Sequence, residues 1–491
     1  MCKNNRSKRQ ALDKANAANI AGAIKDVLLR MSLSMEDAKA QCYDGCSTMT
    51  GIRNGVSTII KRENPKCLLT HCYCHALNLA VGDTVKNVPL LKETLEDAYE
   101  LTKLIKYSPK RQAELKNKQQ ELKIDNLNLP VDSAYPEAEE FSKLRLFCPT
   151  RWTVRAKALQ SISKNYKAIL EMLLWCTEPK NTSDSDTRAK AGGIERKMNT
   201  FKFVYGMHLA MLVLNHSDNL SATLQDPKLC AADAQKAAEL VVQTLSKLRD
   251  DEHAQNFLLK VKREVTRLEI DEQEPGLPRR KKAPRKLEAY FGYGAGDSYQ
   301  HETVETYYRA QYFDAIDKVV TTIKDRFDQP DYKIYVNLEQ VLLNGAADKN
   351  IDESLAVLEE HYKSDFDFTQ LKIQLETLST SFTNSSTGLS LADVVEHLQN
   401  LNPGQRLLMS QVFKLAQYCL VNPASNATSE RAFSAMRRIK TYLCNTMSQN
   451  RVNNTMCLHV HRGKIGMIDL KSVLNEFIDS VDRRKLKFAR K

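Results

Sequence analysis

No stretch of this chain approaches the roughly 20 consecutive apolar residues that a membrane helix requires. The opening Met1-Cys2-Lys3-Asn4-Asn5-Arg6-Ser7-Lys8-Arg9 has no apolar signal core. A soluble, intracellular protein with no membrane partner is therefore expected. Glycine is scarce, 17 residues in 491, and long runs free of Gly and Pro predict a mostly helical chain rather than a turn-rich β protein. The 12 cysteines lack the even, tight spacing of a secreted disulfide scaffold, which predicts reduced thiols. What the chain has in excess is positive charge. Its 72 Lys and Arg outnumber 60 Asp and Glu, giving a net charge of +12, and this points to a polyanionic partner, most simply nucleic acid. At 491 residues the chain exceeds one ordinary core, and two or three structural units are expected.

Hydrophobic spacing predicts an amphipathic helix over 11–31, carried by Ile20, Ile24, Val27, Leu28 and Met31. The short apolar run Cys67-Leu68-Leu69, followed by helical Ala76 to Val81, reads as a fragment of a mixed α/β layer. Residues 88–122 read as charged helix and 123–147, with Pro130 and Pro136, as an irregular connection. Helical patterns dominate from Val154 to Leu268, with Leu240, Val241, Leu245 and Leu248 expected on one stripe and a turn expected at Gly192-Gly193. Between Asp271 and Gly296 the prolines, glycines and the run Arg279-Arg280-Lys281-Lys282-Ala283-Pro284-Arg285-Lys286 read as an exposed loop. That run suits nuclear import, phosphate binding or simple solvation. Helices resume from Thr303 to Leu378, and Ser379 to Thr387 reads as a joint.

Near the end, Asn422-Pro423-Ala424-Ser425-Asn426 supplies a breaker and an N-cap. Ala432, Phe433, Met436, Ile439 and Leu443 then recur at helical spacing, so one face is expected to be buried. Glu430 lies about 60° round the helix from Phe433 at about 100° per residue. A first-turn glutamate favoured by the helix dipole is one reading of it, and a functional acid is another.

Three motifs carry a resemblance. The run Pro423 to Arg451, centred on Ser429-Glu430-Arg431-Ala432-Phe433-Ser434, resembles the C-terminal dimerisation region of hAT-superfamily transposases. Cys42-Tyr43-Asp44-Gly45-Cys46, continuing through Gly51, Gly55-Val56 and His71-Cys72-Tyr73-Cys74-His75, resembles the central segment of the same proteins. It is most similar to the branch of MYM-type zinc-finger proteins and repressors of a protein-kinase inhibitor. Thr150-Arg151-Trp152 resembles the family's Arg-Trp element.

The resemblance implies a mainly α protein with a partial α/β core, an incomplete RNase H-like fold interrupted by a large helical insertion. The expected segments are a loose basic N-terminus at 1–15, the first part of the core at 16–165 and the helical insertion at 166–400 with its basic loop at 271–296. A dimerisation region at 401–465 would complete the core, followed by a basic tail at 466–491. By position Asp44 matches the family's second catalytic acid and Glu430 its third. The first acid has no match, since Asp13, Asp26 and Asp37 lie in or beside helical sequence, and the chain is expected to start after the first strands of the core. Three carboxylates are needed to hold two divalent ions, so the expectation is no cofactor, with Mg²⁺ or Mn²⁺ relevant only to a complete site.

Arg151 and Trp152 are expected nucleic-acid contacts, Trp152 either stacking on a flipped base or lying buried. Cys72 and His75 form a family hallmark that reads as a packed element more readily than as half a zinc site, because no second ligand pair stands at finger spacing. Phe433, Met436, Ile439 and Leu443 are expected at a dimer interface, with homodimer or higher assembly, DNA as a candidate partner and a nuclear location through Arg279, Arg280, Lys281 and Lys282. The functional expectation is a domesticated, non-enzymatic transposase derivative. The alternatives are an active hAT transposase with an incomplete gene model and a nuclear co-regulator scaffold.

Overall fold

The structure is a computed structural model that describes residues 15–127, 143–145, 147, 155–182, 184–226, 229, 231–270, 303–329, 331–382, 389–421, 424–441 and 446–488. The described residues are overwhelmingly helical, with one two-stranded sheet of β1 (Ala40–Tyr43) and β2 (Leu68–His71). Among the described residues the expected α/β layer is present to that extent. Arg151, Trp152, the loop at 271–296 and Leu443 lie outside the described residues. The chain divides into two units, one of residues 1–68 with 425–491 and the other of residues 69–424.

Side-chain caps start many of the helices. Asn16, Asp184, Thr200, Asp250, Thr303, Asp367, Ser390, Asn402, Ser448 and Asp469 each accept a backbone N–H of the first turn. Each such cap contributes about 1 kcal/mol.

The unit of residues 69–424 is built round helix Phe201–Leu224. That helix buries Phe201, Val204, Tyr205, Leu209, Val213, Leu214, Leu220 and Leu224, so it is apolar on most of its circumference and must sit inside a bundle. Helices Tyr73–Asn87, Pro89–Lys106, Arg155–Ser163, Ala231–Lys247, Asp251–Arg267 and Val304–Phe327 surround it. Tyr205 donates to the Tyr308 carbonyl at 2.9 Å, and burial pushes its phenol well above the ordinary range. A second layer forms round helix Tyr332–Ala346, where Gln374 on a neighbouring helix accepts the N–H of Gln411 at 2.7 Å and of Val412 at 3.3 Å. Those N–H groups belong to the first turn of helix Ser410–Leu420, which has no side-chain cap of its own.

The outer edge of β2 is closed by side chains. Gln329 accepts the His71 N–H and donates to the His71 carbonyl, both at 2.8 Å, so its amide imitates a paired peptide group. Asp331 accepts the Leu69 N–H at 2.6 Å, and Thr70 donates to the Tyr335 hydroxyl at 3.0 Å.

In the other unit, helix Ala17–Arg30 packs on helix Val56–Glu63 round Ala21, Val56, Ile60 and Cys67, with Ile20, Ile24, Met35, Tyr43 and Met49 against them. Helices Ala427–Ile439 and Gln449–Val460 pack round Ala435, Val452 and Met456.

Several expectations require correction. Gly192-Gly193 is not a turn, because helix Ser185–Met198 runs through it. Ala191, Ile194 and Met198 anchor that helix, and a Cβ at Gly192 would already touch Thr177 at 3.4 Å, so packing outweighs the roughly 1 kcal/mol helical cost of a glycine. Leu240 is 64% exposed, and the buried stripe is Ala234, Ala238, Val242 and Leu245. Val27 and Met31 likewise face solvent, since the core of their helix is centred on Ala21.

Helix Phe201–Leu224 also carries Asp218, whose Oδ1 is buried without a hydrogen-bond partner. Burial pushes its carboxyl up to about 7, opposed by the charge of Lys157. The unfolded carboxyl titrates near 3.9, so the folded state holds this proton more tightly. Its favourable contribution is present at about pH 4 and is lost as pH rises through 7. Asp218→Asn is therefore expected to raise the melting temperature at pH 8 and to change it less at pH 4; equal shifts at both pH values would refute this assignment.

Candidate functional site

Asp44 follows the last residue of β1 and is half-buried. Its Oδ1 accepts the Cys46 N–H at 3.4 Å, which turns the chain into the short helix Ser47–Thr50. Burial, followed by the hydrogen bond to the Asp44 side chain, pushes the Cys46 thiol up. The segment behind Asp44 is fastened through backbone groups. Asn64 donates to the carbonyls of Ala38 at 2.7 Å and Met35 at 3.0 Å, and it accepts the Lys66 N–H at 3.1 Å. Tyr43 packs on the Ala21/Val56 cluster, and burial raises its phenol far above the usual range.

The glycines of this motif are required by crowding. A Cβ at Gly55 would lie 2.4 Å from the Gly51 nitrogen and 2.7 Å from its oxygen, and a Cβ at Gly51 would lie 2.3 Å from the Ser47 carbonyl oxygen. Their φ values, −60° and −69°, suit any residue, so the close backbone approach sets the need.

Glu430 is in the first turn of helix Ala427–Ile439 and is exposed. Asp44 and Glu430 fall in the same unit. The other acids weighed for the family's first position have local roles. Asp26 pairs with Arg30 at 2.7 Å, and Asp37 accepts the Ser34 N–H at 2.7 Å as part of a capping box that holds its carboxyl below the ordinary range. Asp13 lies outside the described residues. Among the described residues no group of three or more His, Cys, Asp and Glu side chains is placed to hold a metal ion.

Cys72 is fully buried at the start of helix Tyr73–Asn87, and the His75 ring lies 5.8 Å from that of His71. Cys74 donates to the Leu224 carbonyl at 3.3 Å, and the Tyr73 N–H donates to the Ala424 carbonyl at 3.1 Å. In this structure the Cys-x-x-His element makes a packed joint between β2 and its helix.

The helix carrying Glu430 is turned relative to expectation. Ala432, Ala435, Met436 and Ile439 face Val452 and Met456, while Phe433 is 62% exposed. The helix therefore packs its alanine, methionine and isoleucine side chains within the chain and presents its phenylalanine outward. Leu458 and Val460 are exposed on helix Gln449–Val460. In the other unit Leu407, Leu408, Leu420 and Val421 are exposed as well. Sequence reasoning missed these four leucine and valine positions, and also read residues 466–491 as a basic tail. The signal for the latter was present, since Leu470, Val473, Leu474 and Phe477 follow Asp469 at helical spacing.

No helix among the described residues is long and apolar enough to cross a membrane. Residues 405–463 match the hAT family C-terminal dimerisation region. Over 477 residues, 92% of its length, the chain is similar to the human protein called 52 kDa repressor of the inhibitor of the protein kinase, at 22% identity, and to the mouse protein of the same name, at 21%. The match covers 56% of each, so the chain spans about half the length of the curated relatives it matches.

Proposed function

We propose that this chain, which carries the hAT family C-terminal dimerisation region, is a transposase-derived, catalytically incomplete protein that self-associates through that region and binds nucleic acid without cutting it. The observation that carries the reading is the exposure of Phe433, Leu458 and Val460 on the two helices Ala427–Ile439 and Gln449–Val460, which lie within the matched residues 405–463. Such residues are placed at cost in water unless a partner covers them. Between Ser425 and Ile465, seven Lys and Arg residues stand against the single acid Glu430, which suits a polyanion beside the apolar contact. Two carboxylates matched to the family, Asp44 and Glu430, hold a pair of divalent ions poorly. The RNase H-like ancestry of the Asp44 segment and nuclear import through Arg279, Arg280, Lys281 and Lys282 belong to the same proposal.

The test has two parts. Sedimentation velocity at micromolar concentration is expected to give a dimer or larger species, and a clean monomer would overturn the self-association. Strand-transfer and nicking assays on linear duplex in Mg²⁺ or Mn²⁺ are expected to show no product. Nuclease activity lost in both Asp44→Ala and Glu430→Gln would instead overturn the incomplete-site reading and show that a further acid, Asp26 or Asp37, completes the site.

A further inference from the structure

Among the described residues, helices Leu470–Asp479 and Asp482–Phe488, which follow the matched region, have no buried side chain. Helix Leu470–Asp479 is well begun, since Asp469 accepts the N–H of Lys471 at 3.0 Å and of Ser472 at 3.3 Å. Leu470, Val473, Leu474 and Phe477 fall at i, i+3, i+4 and i+7 and so form one stripe. They are 74%, 48%, 53% and 49% exposed. Val481, Leu486 and Phe488 extend the exposure through helix Asp482–Phe488. A ten-residue helix is marginal in water by itself, and an amphipathic one takes its stability from covering its apolar stripe.

We infer that the cover is a second copy of this chain, so that residues 465–488 extend the self-association surface beyond the matched region. The inference rests on the dimerisation reading above. Continuity is the first support. Exposed apolar residues run from Leu458 and Val460 inside the match, through Ile465, Met467 and Ile468 at its end, into the stripe itself. Charge is the second. Helix Leu470–Asp479 carries Lys471 against Glu476 and Asp479, whereas the next helix carries Arg483, Arg484, Lys485 and Lys487 against Asp482. An acidic helix followed by a basic one is self-complementary across a two-fold axis, where each meets its opposite in the partner. The stripe-bearing helix has the wrong sign for an anionic membrane surface. Arg484 fixes the joint between the two helices. It donates to the Phe477 carbonyl at 3.3 Å and the Ser480 hydroxyl at 2.9 Å, and its guanidinium lies 3.9 Å from the Phe477 ring centre. Part of the ordering cost of association is thereby met before the copies meet.

The test uses the full chain and Val473→Glu/Phe477→Glu in the same background. Sedimentation equilibrium is expected to show the dissociation constant of the double variant raised at least tenfold, with unchanged far-ultraviolet circular dichroism. Hydrogen exchange of unaltered protein, followed from nanomolar to micromolar concentration, is expected to slow at 470–479 as the dimer forms. If the unaltered chain dimerises while the variant matches its dissociation constant and 470–479 exchanges equally fast at all concentrations, the inference falls and the dimerisation reading stands. A monomeric unaltered chain overturns both. Binding of the unaltered chain to phosphatidylserine-containing vesicles, lost in the double variant with dimerisation intact, would assign the stripe to a membrane surface and also overturn it.

Discussion

Phe433→Asp is expected to convert a dimer of this chain into monomers at micromolar concentration, with a dissociation constant raised about a hundredfold or more. Buried aromatic anchors in interfaces contribute about 2–4 kcal/mol, and every 1.4 kcal/mol is about tenfold in affinity. The substitution also puts a carboxylate about one helical turn from Glu430, so like charge adds to lost contact. Because Phe433 stands outside the cluster of Ala435, Val452 and Met456, the helix pair should keep its fold, and circular dichroism should be unchanged. Ala435→Asp is the contrasting variant, for it places charge inside that cluster and should loosen the pair itself. Sedimentation equilibrium decides the matter, and an unaltered dimer in Phe433→Asp would remove this residue from the interface.

Gly55→Ala is expected to destabilise the Asp44 segment by about 3 kcal/mol, at the upper end of what overpacking costs. The added methyl would meet backbone atoms of Gly51 at 2.4 Å and 2.7 Å, and backbone cannot move aside as the tip of a flexible side chain can. Relief requires Gly51 to move, yet Gly51 itself lies against the Ser47 carbonyl and accepts the Thr58 hydroxyl at 2.9 Å. The strain therefore passes to the turn that follows Asp44. Gly193→Ala is the control. Its Cβ has open space within a helix, so this substitution should stabilise by about 0.5–1 kcal/mol. Urea melts of the two variants should move in opposite directions, and a neutral Gly55→Ala would show that the close approach is not rigid.

Helical character was legible over 154–268 and 303–378 from apolar periodicity, and the caps Thr200 before Phe201 and Thr303 before Val304 mark helix starts within those spans. These are local signals between residues three or four apart. What was not legible depended on neighbours distant in sequence. Gly192-Gly193 reads as a turn until the helix packed beside it is known, and Leu240 reads as core until the surrounding helices choose Val242. Phe433 is the sharpest case among the candidate residues. Periodicity places an apolar face only as a broad stripe, and for a residue at the edge of that stripe the outcome is decided by which neighbour packs against it. The placement of Glu430 in a first helical turn follows from local pattern, whereas a strand before Asp44 was expected only from the resemblance. The closure of the β2 edge follows from neither, because Gln329 stands 258 residues from His71.

That closure has a consequence for how the protein behaves in a crowded solution. A strand edge with free N–H and carbonyl groups invites a strand from any passing chain, and natural sheets commonly prevent this with charge, bulges or a covering element. Here one buried glutamine amide serves as the terminating rung, and the Asp331 carboxylate occupies the next N–H along. Gln329 and Asp331 lie between the end of helix Val304–Phe327 and the start of helix Tyr332–Ala346, so the guard on this edge is held from both helix ends. Loosening of the short segment between those two helix ends is thus expected to bare an adhesive edge, which makes the connection, rather than the strand it guards, the place where heat-induced aggregation is expected to start.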